Sequence, residues 1–496
     1  IRPMTSLSSI EPAPRGLIDV RPALSVAGVL LSLMGTAMLA PAVIDLYFES
    51  DDWVVVAGAG LFSGFVGGLL WITCRGSARS ITLRQAFVMT TLSWLALVAF
   101  GALPLYWCNL DLSLADAIFE SMSGLTTTGA TVINGLDSAP PGILFWRAQL
   151  QWLGGLGIIV MAVAVLPLLQ IGGMQMFKTE AFETADKILP RATQISGMLT
   201  LVYVGLTIAC ALAYFVAGMR LFDATTHAMT TVATGGFSTH DASFGFFDSA
   251  AIEMIAVAFM ILGSLPFLLY VRIIQGKPID LVRDAQVQVF VAILAVFTGL
   301  ITLRLLFNGV PLGEALRDSA FNLTSIMTGT GYATDGYHLW GPFAVTIFFV
   351  ATFLGGCAGS TSCGIKTFRI IIIWEDLKQH LRRIVYPSAI AIKRYNGRPL
   401  SDEVSAAVQS FIFLYMVLFA ALAVGLSLTG LDTLTALSGA ATAISNVGPG
   451  LGDTIGPSTT FAAVPDSAKW LLSAGMLIGR LEIFTILVLF IPAFWR

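Results

Sequence analysis

Four turns in this chain bring threonine and glycine together: Thr126-Thr127-Thr128-Gly129-Ala130-Thr131, Val232-Ala233-Thr234-Gly235-Gly236-Phe237, Met327-Thr328-Gly329-Thr330-Gly331-Tyr332 and Asn446-Val447-Gly448-Pro449-Gly450. The chemistry they offer is that of uncharged oxygen ligands. Backbone carbonyls aimed at a common axis can replace the hydration shell of a monovalent cation such as potassium. Glycine admits the positive-φ conformations that such a ring needs, and threonine adds hydroxyl oxygens. The fourth turn departs from the pattern, with Asn446-Val447 before its glycine and Pro449 after it.

Two further features could act on an ion. The run Gly355-Gly356-Cys357-Ala358-Gly359-Ser360-Thr361-Ser362-Cys363-Gly364 carries four glycines in ten residues and interrupts an apolar stretch. Each glycine weakens a helix by about 1 kcal/mol relative to alanine, so the run predicts a flexible break. Irregular backbone at membrane depth survives only beside water or packed protein. Arg480 lies in the middle of the last apolar stretch, two residues before Glu482. A charge at that depth is costly and faces the protein interior, so a buried structural pair with Glu482 is one reading of it.

Other chemistries find little support. The five cysteines are scattered with no CxxC pair, and the four histidines lie far apart, so neither a disulfide framework nor a metal site is signalled. Ser360 and Ser362 have no histidine or acidic partner nearby. Catalysis and a covalently bound cofactor are not expected, and no nucleic-acid partner is signalled.

The elements that must hold these residues follow from composition. Of 496 residues, 56% are hydrophobic and only 11% are charged, too few charges to cover a water-facing surface of that size. Ten stretches are long and apolar enough to span a bilayer: Leu24–Leu46, Val54–Cys74, Gln85–Leu105, Phe145–Gln170, Ile195–Ala217, Ala250–Val271, Val287–Phe307, Phe343–Trp374, Val404–Leu428 and Lys469–Phe494. Only the eighth reads as interrupted. With a cytoplasmic N-terminus, 21 of the 27 Lys and Arg fall on the cytoplasmic side, as the positive-inside rule asks. Before each turn lies a stretch too short to cross: Leu114–Leu125, Phe222–Thr231, Glu314–Ile326 and Leu434–Ser445. The turns recur about a hundred residues apart, the mark of an internal repeat, and all four fall on the external side. Asp111, Glu120, Asp241, Asp335 and Asp453 are expected near the outer mouth, where they would concentrate cations. The fold class expected is an all-α integral membrane protein. Four pseudo-repeats of transmembrane helix, pore helix, filter loop and transmembrane helix surround a central pore, and a two-helix hairpin precedes them. The units read as a cytoplasmic segment 1–23, hairpin 24–84, and repeats 85–194, 195–286, 287–403 and 404–496. A secondary transporter with inverted repeats is the alternative; four repeats of one orientation favour a central pore.

At these residues the chain resembles the Trk/Ktr/HKT superfamily of potassium transporters. Asp19-Val20-Arg21-Pro22, the run Gly355–Gly364 with Lys366, and Gly479-Arg480-Leu481-Glu482 fit the bacterial Trk membrane subunit, and the extra hairpin favours the TrkH or TrkG type. The resemblance implies potassium as the transported ion and filter glycines at Gly129, Gly235, Gly331 and Gly448. The filter set it implies is Thr127, Thr128, Gly129, Ala233, Thr234, Gly235, Gly329, Thr330, Gly331, Asn446, Val447 and Gly448. It also implies a gating loop involving Gly355, Gly356, Gly359, Ser360, Gly364 and Lys366, with Arg480 facing the pore. A homodimer in lipid is implied, in a bacterial inner membrane. So is a separate cytosolic TrkA-type nucleotide-binding ring, and the basic segment from Lys366 to Arg398 is the expected docking surface. Gly154-Gly155-Leu156-Gly157 lies within a span and reads as packing.

Overall fold

The computed structural model describes residues 18–76, 82–164, 192–388 and 392–495. Seven described helices are long and apolar enough to cross a membrane, and two pairs of helices sharply bent at a break bring the number to nine. The expected ten therefore needs a correction at the eighth. There Pro342–Phe353 is a twelve-residue helix, and the chain becomes helical again only at Thr367–Val385. The second piece carries Arg369, Glu375, Asp376 and Lys378, which keep it from reading as a bilayer helix. Arg2, Arg15, Arg79, Lys178, Lys187, Arg191 and Arg496, which bear on orientation, lie outside the described residues.

After the N-terminal helices, one pattern occurs four times. The first unit runs Leu83–Gly101 with its continuation Leu103–Trp107, then the short helix Leu114–Leu125, then Pro141–Ala164. The second has Ala192–Val216, Leu221–Val232 and Ala250–Ser264; the third Ala285–Phe307, Leu312–Thr328 and Pro342–Phe353; the fourth Asp402–Leu428, Thr433–Ser445 and Asp466–Arg480. Local sequence sets the starts of the short helices. Ser113 and Asp116 form a capping box at the first, and Asp432 accepts from the N–H groups of Leu434 and Thr435 at the fourth, satisfying donors that a helix start leaves free.

Two spans expected to be continuous are broken. Ala250–Ser264 and Phe267–Ile274 meet at 93°, and Asp466–Arg480 turns by 105° into Phe484–Phe490. In the first, Pro266 removes a backbone donor, which is a sufficient local cause. In the second, Glu482 and Ile483 both have positive φ, at 59° and 50°.

Close packing holds the two arms of the hairpin together, and one buried carboxylate ties it to the first unit. A Cβ added at Gly28 would lie 2.7 Å from the Gly67 carbonyl, and one at Gly35 would lie 2.5 Å from that of Gly60; glycine lets the two helices touch along their backbones. Asp45, fully buried, accepts from the Gly142 N–H at 2.6 Å. It thus caps Pro141–Ala164 from another part of the chain, next to the positive end of that helix's dipole.

Candidate functional site

All four short helices end in the same way, and this defines a common register. The N–H of Thr128 donates to Ser123 O, Gly235 to Thr230 O, Thr330 to Ser325 O and Val447 to Thr442 O, each at 2.8–3.1 Å. These are the bonds from five residues back that close a helix in a Schellman motif. The residue before each has positive φ: Thr127 at 52°, Thr234 at 49°, Gly329 at 75° and Asn446 at 54°. The residue after each is a glycine with positive φ: Gly129 at 85°, Gly236 at 83°, Gly331 at 87° and Gly448 at 110°. Gly236, not Gly235, is therefore the counterpart of Gly129. Sequence reading aligned the wrong member of the pair, because two adjacent glycines leave the register open until the helix end is known. Gly235 occupies the middle position, and Ala233 lies one step nearer the helix.

The four turns close into a ring. A Cβ on Gly129 would sit 2.3 Å from Gly235 O, on Gly236 1.9 Å from Thr330 O, on Gly331 2.2 Å from Val447 O, and on Gly448 2.7 Å from Thr128 O. Each glycine thus faces the middle carbonyl of the next turn, and the fourth returns to the first. Among the described residues, the carbonyls of Thr127, Thr128, Gly129, Thr234, Gly236, Gly329, Thr330, Gly331, Asn446, Val447 and Gly448 accept no hydrogen bond. The turns are almost wholly buried. Buried carbonyls are normally paired, so unshared oxygens gathered from four segments form a place for a cation. The C-terminal ends of the four short helices add partial negative charge.

On one side the ring opens into a funnel of about 760 Å³ whose lining includes Gly129, Gly236, Gly331, Asp241 and Asp453. The side chain of Asp453 is 99% exposed. Glu120, expected at this mouth, is buried instead. Its carboxylate takes Arg147 Nε at 2.7 Å, the Thr131 hydroxyl and the Val132 N–H, so its charge is used inside the protein. Asp111 and Asp335 are exposed but not part of the lining. His240, in the lining, stands 2.5 Å from Asp137 and 3.5 Å from Asp223. Burial alone would lower its pKa; the two carboxylates outweigh it and hold the value above that of a free histidine.

On the other side the way is nearly filled. A cavity of about 20 Å³ remains between Ser362, Cys363, Lys366, Tyr415, Arg480 and neighbouring residues, room for about one water. The glycine run lies here as a loop between Leu354 and Ile365, which are themselves bridged. Gly355, Gly356, Ser360 and Lys366 are buried, and Gly359 and Gly364 take φ 73°. The loop rests in the break of the second unit: Cys357 N–H donates to Ser264 O at 2.9 Å, Thr361 N–H to Gly263 O at 3.2 Å, and Phe267 N–H to Gly359 O at 2.9 Å. Gln286 Oε1 accepts from Ala358 N–H at 2.8 Å. The loop expected to be slack is thus bonded along its length. Thr361 also joins it to the ring, since its hydroxyl accepts from that of Thr234 at 3.1 Å and donates to Val232 O at 3.1 Å.

Arg480 is 1% exposed and does not pair with Glu482. Its guanidinium donates to Thr361 O at 3.2 Å, to Cys363 Sγ at 2.5 Å and to Gly154 O at 3.1 Å. Glu482 pairs with Arg369, whose guanidinium also stacks 3.6 Å from the centre of the Phe411 ring. Lys366 donates to Ser362 O. Gly154 itself is a packing residue, as expected: a Cβ there would fall 1.9 Å from Leu125 O.

Comparison with known proteins agrees with this architecture. The family model TrkH, described as cation transport protein, matches residues 54–496. The chain is 44% identical over 477 residues to the Trk system potassium uptake protein TrkI of Halomonas elongata, covering 96% of this chain and 97% of that one. It is 37% identical to TrkH of Escherichia coli, covering 95% and 98% of the two chains. The crystal structure of the potassium transporter TrkH from Vibrio parahaemolyticus superposes with a TM-score of 0.89 at 38% identity, covering 97% of this chain and all of that one.

Proposed function

The chain belongs to the TrkH family of cation transport proteins, and from that premise we propose that it takes up potassium across a bacterial inner membrane through the carbonyl ring. The observation that carries this reading is the closed sequence of four turns with unshared buried carbonyls. The N-terminus is cytoplasmic and the funnel external. Thr127 to Gly129, Thr234 to Gly236, Gly329 to Gly331 and Asn446 to Gly448 form the selectivity filter, within pore repeats at 85–194, 195–286, 287–403 and 404–496. The loop 355–364 gates the route below it. The relatives are named as parts of a Trk system, which supports a cytosolic TrkA-type regulatory ring docking near Arg382 and Arg383; the chain works as a homodimer in lipid. A coupled transporter of another family is not favoured.

Reconstitution into liposomes tests the reading. The purified chain should pass potassium in preference to sodium, and Gly129→Ser should raise sodium flux relative to potassium. An unchanged ratio in both Gly129→Ser and Gly331→Ser would remove the filter assignment.

Arg480 bears on conduction separately. A unit positive charge about 8 Å from a cation, at an effective dielectric near 20, opposes it by about 2 kcal/mol, and Arg480 borders the small cavity on the far side of the ring. Arg480→Gln keeps a donor for the loop and removes that charge. Single-channel current or unidirectional flux should rise by up to about thirtyfold, or become less steep in voltage, with unchanged yield of folded protein.

A further inference from the structure

We infer that Gln151, which lies outside the ring, sets the ring's preference among alkali cations by holding one of its four middle carbonyls. This rests on the filter reading above. Gln151 is fully buried on Pro141–Ala164, the last helix of the first unit. Its Nε2 donates to Gly235 O at 2.5 Å, and its Oε1 accepts from Phe237 N–H at 3.0 Å. Only this orientation of the amide satisfies both bonds.

The contact makes the ring unequal. Among the described residues, the middle carbonyls of Thr128, Thr330 and Val447 accept nothing, whereas that of Gly235 is shared with a side-chain amide. It also explains the paired glycines of the second turn. Gly236 has positive φ and faces Thr330 O; Gly235 has ordinary φ, and a Cβ there would lie 2.4 Å from Gln151 Cδ and Oε1. One glycine serves the ring, and the other makes room for the amide. A second contact from the same helix fixes the turn, as Arg147 donates to Ser238 O at 2.9 Å and its guanidinium lies 4.1 Å from the centre of the Phe237 ring.

A carbonyl that already accepts an N–H bond presents less negative charge to an ion and is drawn toward its donor. Selectivity between potassium and sodium depends on the number and field strength of the coordinating carbonyls. A weaker field favours the larger ion, whose dehydration is cheaper. Freeing Gly235 O should therefore strengthen the field and move preference toward sodium. Gln151 is a positioning residue, acting through Gly235 without touching the ion.

The test uses the full chain in liposomes, reading sodium and potassium flux side by side. Gln151→Met keeps the length of the side chain without either bond. Gln151→Leu, smaller and uncharged, also makes neither bond, so it carries the test if the methionine variant does not fold. Both should raise the sodium-to-potassium flux ratio about fivefold, equivalent to about 1 kcal/mol. A ratio equal to the parent's in the folded variants, even with lower total flux, would make Gln151 structural only and overturn the inference. Gly331→Ser run in parallel separates the two failures. If it shifts the ratio while the Gln151 variants do not, the inference alone falls; if none shifts it, the filter reading falls as well.

Discussion

Gly236→Ala will cost the chain most of its potassium flux, about thirtyfold or more. Gly236 holds φ at 83°, and an added Cβ would lie 1.9 Å from Thr330 O. A left-handed conformation forced on a residue with a side chain costs about 1–3 kcal/mol. The carbonyl must also retreat by about an ångström to regain van der Waals distance. Both costs fall on the atoms that would hold the ion, and about 2 kcal/mol lost there is a factor near thirty. Gly235→Ala should be milder. Its Cβ meets the end of the Gln151 side chain, which can withdraw, so flux should fall less while selectivity shifts as in Gln151→Met. Flux and sodium-to-potassium ratio measured for both variants check the register. A larger flux loss in Gly235→Ala would restore the alignment read from sequence and displace the one read from the helix ends.

Deleting Gly356–Ser362 will give potassium flux that no longer depends on the cytosolic partner. The deletion is feasible because the ends of the loop already touch: Gly355 N–H donates to Ile365 O at 2.8 Å, and Ile365 N–H to Phe353 O at 2.9 Å. What is removed is the material occupying the space below the ring, together with the carbonyl of Thr361 that Arg480 holds. The loop's bonds to Gly263, Ser264, Phe267 and Gln286 hold it in place, each contributing about 1 kcal/mol net. A net bias of about 1.4 kcal/mol toward the seated loop, a fraction of what those bonds supply together, makes basal flux rise about tenfold when the loop is removed. Liposome flux with and without the partner is the measurement. A deleted chain that folds and keeps full partner dependence would show that the loop is not the gate.

Much of the frame was legible in the sequence because membrane folding leaves strong signals. The spans follow from length and hydropathy, and the short helices were placed to within a few residues by their abrupt endings in glycine and threonine. What escaped reading depends on contacts distant in sequence. The break after Ser264 is signalled by Pro266, but its use as a seat for the loop appears only when residues 355–364 are brought beside it. Glu482 stands two residues from Arg480, yet it pairs with Arg369, since a helix that turns by 105° between them aims the two side chains apart. Glu120 reads as a mouth carboxylate until the span carrying Arg147 is folded against it. Gln151 carries no local signal that sets it apart from Gln149 on the same helix: it acquires meaning only from the turn it meets.

A pore assembled from four copies of one chain inherits every substitution four times over. Here, among the described residues, the Gly-rich loop comes from the third unit alone, the guanidinium of Arg480 from the fourth, and the amide of Gln151 from the first. Each quarter of the pore is written at its own genetic address. A plug that needs the centre of the route can be encoded once, where four would collide, and a change in one wall leaves the other three as they were. Ion preference and blockade can therefore evolve along separate lines within a single reading frame.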